Sequence, residues 1–308
     1  MLFSINSYAQ LDAKQNHYMF NGMAFNPATA GSKESISATM LYRTQYMGFG
    51  GGPKTTMFNI HAPIQKLKGG LGLGIINDEV GSVDSGRTTI TSTQNISLNY
   101  AYRRPFGSGT IAIGPSIGFI QRRSSAKYDA RQPNDPILQG IADGNLTGSA
   151  LDLGLGALYQ QDKLYVGLSL LHLTMPKYKL EGQTLNGRLP LTAFLTAGYT
   201  YQLNEDITLQ PTMLFKSAFV GNTTQFDLSC IATIKNKFWG GVAYTSADAF
   251  VTLVGLNITE KIRAGIAYDF TTSRLRNYST GTVELFLNYD FTIKIDRPQY
   301  IIRSPRFL

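Results

Sequence analysis

Along this chain apolar and polar residues alternate with a period of two rather than 3.6. Ile96, Leu98, Tyr100 and Tyr102 fall on one face of their segment, and Asn95, Ser97, Asn99 and Ala101 on the other. Val283, Leu285, Leu287, Tyr289 and Phe291 repeat the pattern against Glu284, Asn288 and Asp290. Ile111, Ile113, Ile117 and Phe119 share a face that also carries Pro115, which is awkward in a paired strand because it has no donor. Sustained alternation of this kind predicts strands whose two faces meet different surroundings. It recurs at roughly 35–45, 54–62, 70–78, 88–103, 109–122, 149–160, 163–172, 191–201, 207–217, 225–235, 238–245, 249–257, 262–269 and 283–291. No segment of helical period and useful length competes with these.

The connections decide between a soluble sandwich and a closed barrel. Those after the second, fourth, sixth, eighth, tenth and twelfth segments are short, whereas 123–148, 173–190 and 270–282 are long. Short turns at one end, long loops at the other and an even strand count point to an all-β, transmembrane antiparallel barrel of about 14 strands. Closure has a physical cause, since lipid leaves the backbone groups of an open sheet edge unsatisfied. Tyr100, Tyr102, Tyr199, Tyr201, Tyr289 and Phe291 stand near strand ends, where interfacial aromatics belong. On this reading the protein lies in the outer membrane, with the short turns and both termini in the periplasm. The turns carry Lys66, Lys68, Arg103, Arg104, Lys163, Lys235, Lys237 and Lys261 against Asp162, Glu205, Asp206 and Glu260. The resulting basic rim is explained more simply by anionic headgroups than by a dedicated acidic partner.

Composition agrees. Charged residues make up 16% of the chain, against about 25% in a typical globular domain. There is no apolar run of the roughly 18 residues needed for a membrane helix. Cys230 is the single cysteine and excludes an internal disulfide. The net charge of +8 is spread singly or in pairs, so nucleic acid is not an expected partner. The first residues, MLFSINSYAQ, resemble the tail of a secretory signal cut near Ala9–Gln10, and 1–9 are expected to be its remnant.

Candidate chemistry is sparse. His17, His61 and His172 lie far apart without metal-ligand spacing, and no nucleophile elbow is present. No enzymatic activity and no cofactor are expected. Asp152, Asp227, Asp269, Glu284 and Asp290 alternate with apolar residues and should face a wet or plugged lumen. Gly70, Gly72 and Gly74 superficially suggest a nucleotide loop, yet they match neither G-x-G-x-x-G nor a P-loop. Leu71, Leu73 and Ile75 form the opposite, lipid-facing side of the same strand. A bare glycine face weakens a strand and is usually kept for close approach of something else. The expected occupant is the N-terminal segment or a partner chain.

Residues 10–34 are not strand-like, but they carry Tyr18, Met19, Phe20, Met23 and Phe25. This N-terminal segment is expected to pack in or under the barrel of 35–291, with turns at Asn26, Pro27 and Gly31. Here the chain resembles the PorP/SprF family of the type IX secretion and gliding systems of Bacteroidetes. The resemblance rests on the stretches at 18–32, 42–55 (with Tyr42, Arg43 and Gln45), 70–81 and 304–308 (with Phe307). It departs at Gly22, where a proline is common, and at Tyr46, where a tryptophan is common. The resemblance implies a non-enzymatic barrel serving protein export, gliding motility or the anchoring of an adhesin at the cell surface. Its implied partners are outer-membrane lipid, periplasmic secretion lipoproteins or ring components, and the C-terminal domain of a secreted surface protein. The tail 292–308, with Arg303 and Arg306, would be a periplasmic docking element. The alternative is an outer-membrane channel for hydrophobic solutes, similar to the fatty-acid transporters, which also join an N-terminal plug to fourteen strands. A barrel hydrolase would need a Ser/His/Asp set at the outer rim.

Overall fold

In the computed structural model the residues described are 12–33, 35–84, 87–126, 145–179, 186–219 and 223–292. Fourteen strands form one antiparallel sheet. They are β1 (Ser35–Met47), β2 (Lys54–Ile64), β3 (Gly69–Asp84), β4 (Arg87–Phe106), β5 (Gly109–Ala126), β6 (Asn145–Gln160) and β7 (Leu164–Leu171), followed by β8 (Thr192–Tyr199), β9 (Ile207–Ala218), β10 (Thr223–Ile234), β11 (Phe238–Thr245), β12 (Ala249–Asn257), β13 (Ile262–Thr271) and β14 (Gly281–Thr292). Each strand pairs with its sequence neighbours, and β1 pairs with β14, so the sheet closes on itself. The seam runs in register from Ser35↔Thr292 to Thr44↔Val283 before a bulge near Met47.

Every strand expected from alternation is present. The differences are at the ends. Strands β5 and β6 grow into the interval 123–148, which was expected to be a loop; 127–144 lie outside the described residues. The 173–190 connection holds a small hairpin, Lys177–Lys179 with Asn186–Arg188, and 270–282 holds a 3-10 turn at Arg274–Asn277. Pro115 is accommodated by a gap. The β4–β5 ladder has Asn99↔Ser116 and Tyr102↔Ile113, with no pair between them. On its other side Pro115 still stands opposite Leu155 of β6.

Outward positions are apolar and exposed, among them Leu98 (60%), Ile113 (53%) and Val254 (58%). A belt of this size is what a lipid solvent demands and water does not tolerate. The cross-strand register marks where the belt stops. Ile75, Ile96, Phe119 and Leu151 are consecutive partners across β3–β6, and the next outward row is Asn77, Gln94, Gln121 and Ser149. On β4 the apolar outward run ends at Tyr102, with Arg104 beyond. Gln94 and Arg104 thus enclose the roughly 9–11 residues that a tilted strand needs to span the hydrocarbon. With 20 residues in β4 and 18 in β5, against 8 in β7 and β11, the β3–β6 wall continues well past the membrane on the long-connection side.

Candidate functional site

The lumen is occupied by the chain's own residues 12–33. Three 3-10 turns, Tyr18–Phe20, Gly22–Ala24 and Pro27–Thr29, fold the segment without any long element. The last has a readable local cause. Asn26 Oδ1 accepts the Ala28 N–H at 2.9 Å, and Pro27 occupies the first position, where its missing donor costs nothing. Asn26 Nδ2 then donates to the Ala157 carbonyl of β6, so one side chain shapes the turn and fixes it to the wall.

The segment makes polar contacts on both sides of the barrel. Toward β13, β14 and β1, Lys14 reaches Asp248 at 2.9 Å, and Asn16 Nδ2 donates to Asp269. The backbone N–H groups of Asn16 and His17 both donate to Glu284, and His17 Nδ1 stands 2.7 Å from the same carboxylate. Arg43, fully buried, closes this network by bridging Asp269 (2.7 Å) and Glu284 (3.0 Å). Unpaired, any of these charges would be very costly so far from water. Across the lumen, His172, just beyond β7, is held between Asp152 at 2.8 Å and Asp12 at 2.6 Å. Burial would lower the His172 pKa, but the two carboxylates push it up to about 10. Burial likewise opposes ionisation of Asp12, yet His172 and Lys216 bring it down to about 2. Lys216 also donates to the Asp12 carbonyl at 2.9 Å.

Apolar packing fills the space between. Phe20 lies against Trp239 and Phe286 with ring centroids at 5.2 and 5.4 Å, and the Arg263 guanidinium sits 4.6 Å above it. His17 stacks on Phe286, and Phe25 on Phe194. The Tyr18 hydroxyl reaches the Thr212 carbonyl and Ser229, each at 3.1 Å. Near the short-turn end Gly31 N–H donates to His61 Nδ1, and Lys33 pairs with Asp290 at 3.0 Å.

Glycines clear the wall that the segment lies against. A Cβ on Gly70 would run into Gly31, and one on Gly72 into the Met23 sulfur. One on Gly114 would stand 2.7 Å from the Ala28 nitrogen, and one on Gly156 would meet the Asn26 carboxamide oxygen. Gly74 differs: its neighbours are Asn59 Oδ1 at 2.8 Å and Ser97 Oγ at 2.9 Å, both side chains of the wall itself. Above the segment, toward the long connections, a cavity of about 610 Å³ remains, with a mixed lining of Asp12, Lys14, Asp152 and Lys216 beside Phe25, Phe194 and Leu214.

Of the residues singled out in the sequence, Tyr18, Phe20, Asn26, Pro27, Gly31, Gly70 and Gly72 lie at this segment–wall contact, and Arg43 backs it from within the wall through Glu284 and Asp269. Tyr42 faces outward and is 40% exposed, because it neighbours lumen-facing Arg43 on an alternating strand. Gln45 lines the cavity mouth, with its backbone N–H bonded to the Pro53 carbonyl at 2.8 Å. Arg303, Arg306 and Phe307 lie outside the described residues, as do residues 1–11, so the side on which each terminus emerges is not described. Asp12, the first described residue, stands at the end of the lumen away from the short turns, beside His172. Sequence reasoning missed Lys14, Asn16, His17 and the wall glycines Gly114 and Gly156. The acidic residues expected to face a wet or plugged lumen do face the filled interior, where Asp152, Asp269, Glu284 and Asp290 each hold a cationic or histidine partner and Asp227 accepts from Thr245 at 2.5 Å.

Several solved barrels share the architecture. The Ralstonia pickettii toluene transporter TbuX is 14% identical, with 88% of this chain and 92% of that one covered at a TM-score of 0.52. The P. putida toluene transporter TodX is 12% identical, with coverage of 87% and 92% and a TM-score of 0.52. Identities this low show the fold alone. Among curated proteins none matches significantly. A family model described as "Type IX secretion system membrane protein PorP/SprF" matches residues 7–289. That match spans the inserted segment and nearly all of the barrel, and the chain belongs to the PorP/SprF family of type IX secretion system membrane proteins.

Proposed function

We propose that this protein is a non-enzymatic outer-membrane component of type IX secretion. It supports export or surface anchoring of a secreted adhesin-like protein through that protein's C-terminal domain. The observation that carries the reading is the family match over 7–289, on a barrel whose interior is already occupied. The family match, rather than the lining, favours secretion over the channel reading, because buried Arg43, Asp269 and Glu284 share the lumen with Phe25, Phe194, Trp239 and Phe286. The histidines that contact acids are engaged: His172 has both ring nitrogens on carboxylates and His17 one, which favours a structural role over general base catalysis.

The machinery meets the short turns and the tail 292–308, and the exported domain meets the long connections and the protruding β3–β6 wall. The test is affinity capture of the tagged protein from detergent-solubilised outer membranes, with identification of what accompanies it. Recovery of periplasmic ring lipoproteins or of a large secreted protein is the expected result. Recovery of lipid alone would move the reading to a solute channel.

A further inference from the structure

On the outward face of β1–β6 there is a concavity of about 700 Å³ whose lining is almost wholly apolar. Its sides are Ile36, Ile60, Leu73, Leu98, Ile117 and Leu153. Register accounts for the hollow. Ala62 pairs with Leu71, and Leu71 with Tyr100, while Pro115 lies in the adjoining gap of the β4–β5 ladder. Two short outward side chains, Ala62 and Pro115, therefore interrupt a wall otherwise built of Leu and Ile. The hollow begins one outward row below Ile75, Ile96, Phe119 and Leu151, so it occupies the part of the hydrocarbon nearer the short turns.

Directly beneath it the chain places three cations. Lys66 and Lys68 belong to the β2–β3 turn, and Arg104 follows Tyr102 on the outward face of β4, one outward position before Phe106; all three cations are exposed. None makes an ion pair among the described residues. Lys68 is three positions from Leu71 and Arg104 four from Tyr100, or roughly 10–13 Å at strand rise. Other short turns differ: that between β8 and β9 carries Glu205 and Asp206, and Lys237 sits over the Phe238 ring.

We propose that this groove and its basic rim bind one anionic diacyl phospholipid of the leaflet on the short-turn side. An acyl chain fills the space over Ala62 and Pro115, and the phosphate meets Lys66, Lys68 and Arg104. Hydrocarbon complements the groove, which offers almost no polar surface, and three clustered cations select a negative headgroup over a zwitterionic one.

The test uses the full-length protein in nanodiscs of equal phosphatidylglycerol and phosphatidylcholine, released into mild detergent for native mass spectrometry. One phosphatidylglycerol should remain per barrel, in clear excess over phosphatidylcholine. The triple substitution K66S/K68S/R104S changes two turn residues and one exposed rim position of β4, where Arg104 pairs with Ile111 through backbone alone, and should reduce retention at least about tenfold at unchanged heat-modifiability. Ala62→Trp, which fills the groove, should act alike and independently of headgroup. Equal retention of both lipids, or undiminished retention by the triple variant, would mean ordinary annular lipid and overturn the proposal.

Discussion

Arg43 and Glu284 are register partners across the barrel seam and also an ion pair at 3.0 Å. The same Glu284 carboxylate accepts backbone N–H groups from Asn16 and His17 at 2.8–2.9 Å. One side chain therefore serves both the closing of the barrel and the seating of its inserted segment.

Glu284→Ala should be among the most destabilising single changes in the lumen. It leaves Arg43 with Asp269 as its remaining partner and strips two backbone donors and His17 of their acceptor. Breaking a buried pair costs about 3–5 kcal/mol. Urea titration of refolded protein measures this; a loss below about 1 kcal/mol would mean that the network is hydrated and weak.

Gly72→Leu should dislodge the inserted segment without preventing membrane insertion, because its side chain would enter the space of Met23. The second change Met23→Ala should largely restore protease protection of the segment. Gly114→Leu should not respond to trimming a segment side chain, since its neighbours are the backbone of Ala28 and Pro27. Identical behaviour of the two glycine variants would refute the contact pattern.

The Asp12–His172 contact should have a defined pH window. His172 is raised from its ordinary 6.5 to about 10, so its contribution is full below about 6.5, declines as pH rises and is gone above about 10. Asp12 is lowered from 3.8 to about 2, so its contribution is full above 3.8 and lost as pH falls to about 2. The stability difference between wild type and His172→Gln should therefore be constant between about pH 4 and 6.5 and shrink on either side. A difference that grew toward pH 9 would contradict the assignment.

Removing residues 298–308 should leave heat-modifiability intact while secretion falls, because the deleted tail lies beyond the last barrel strand. Normal secretion by the truncated protein would exclude the tail as a docking element.

The strands were legible because alternation is a local property: Ile96, Leu98 and Tyr100 declare their face without reference to any distant residue. Strand ends were less so. Above the row of Gln94 the β4 sequence turns to Thr and Ser, which pair well yet no longer contrast one face with the other. The glycines of β3 could be read as a bare face because three of them alternate. Gly114 and Gly156 were harder to read, since Gly114 is separated from Gly118 by Ser116 on its face, Gly156 alternates with Gly154 alone before Asp152 intervenes, and the two meet only when β5 pairs with β6 across a long connection. Contacts such as Asn16 with Glu284 span 268 positions, and nothing local to either residue names the other.

The location of Glu284 also bears on biogenesis. The segment that fills the lumen is translated before β1, but the carboxylate that holds it arrives on β14, the last strand to be made. Until that strand docks on β1, both Arg43 and the Asn16–His17 backbone lack this partner. Zipping the seam and locking the interior are thus one event, and a barrel stalled short of its final strand would be both open at the side and unfilled within.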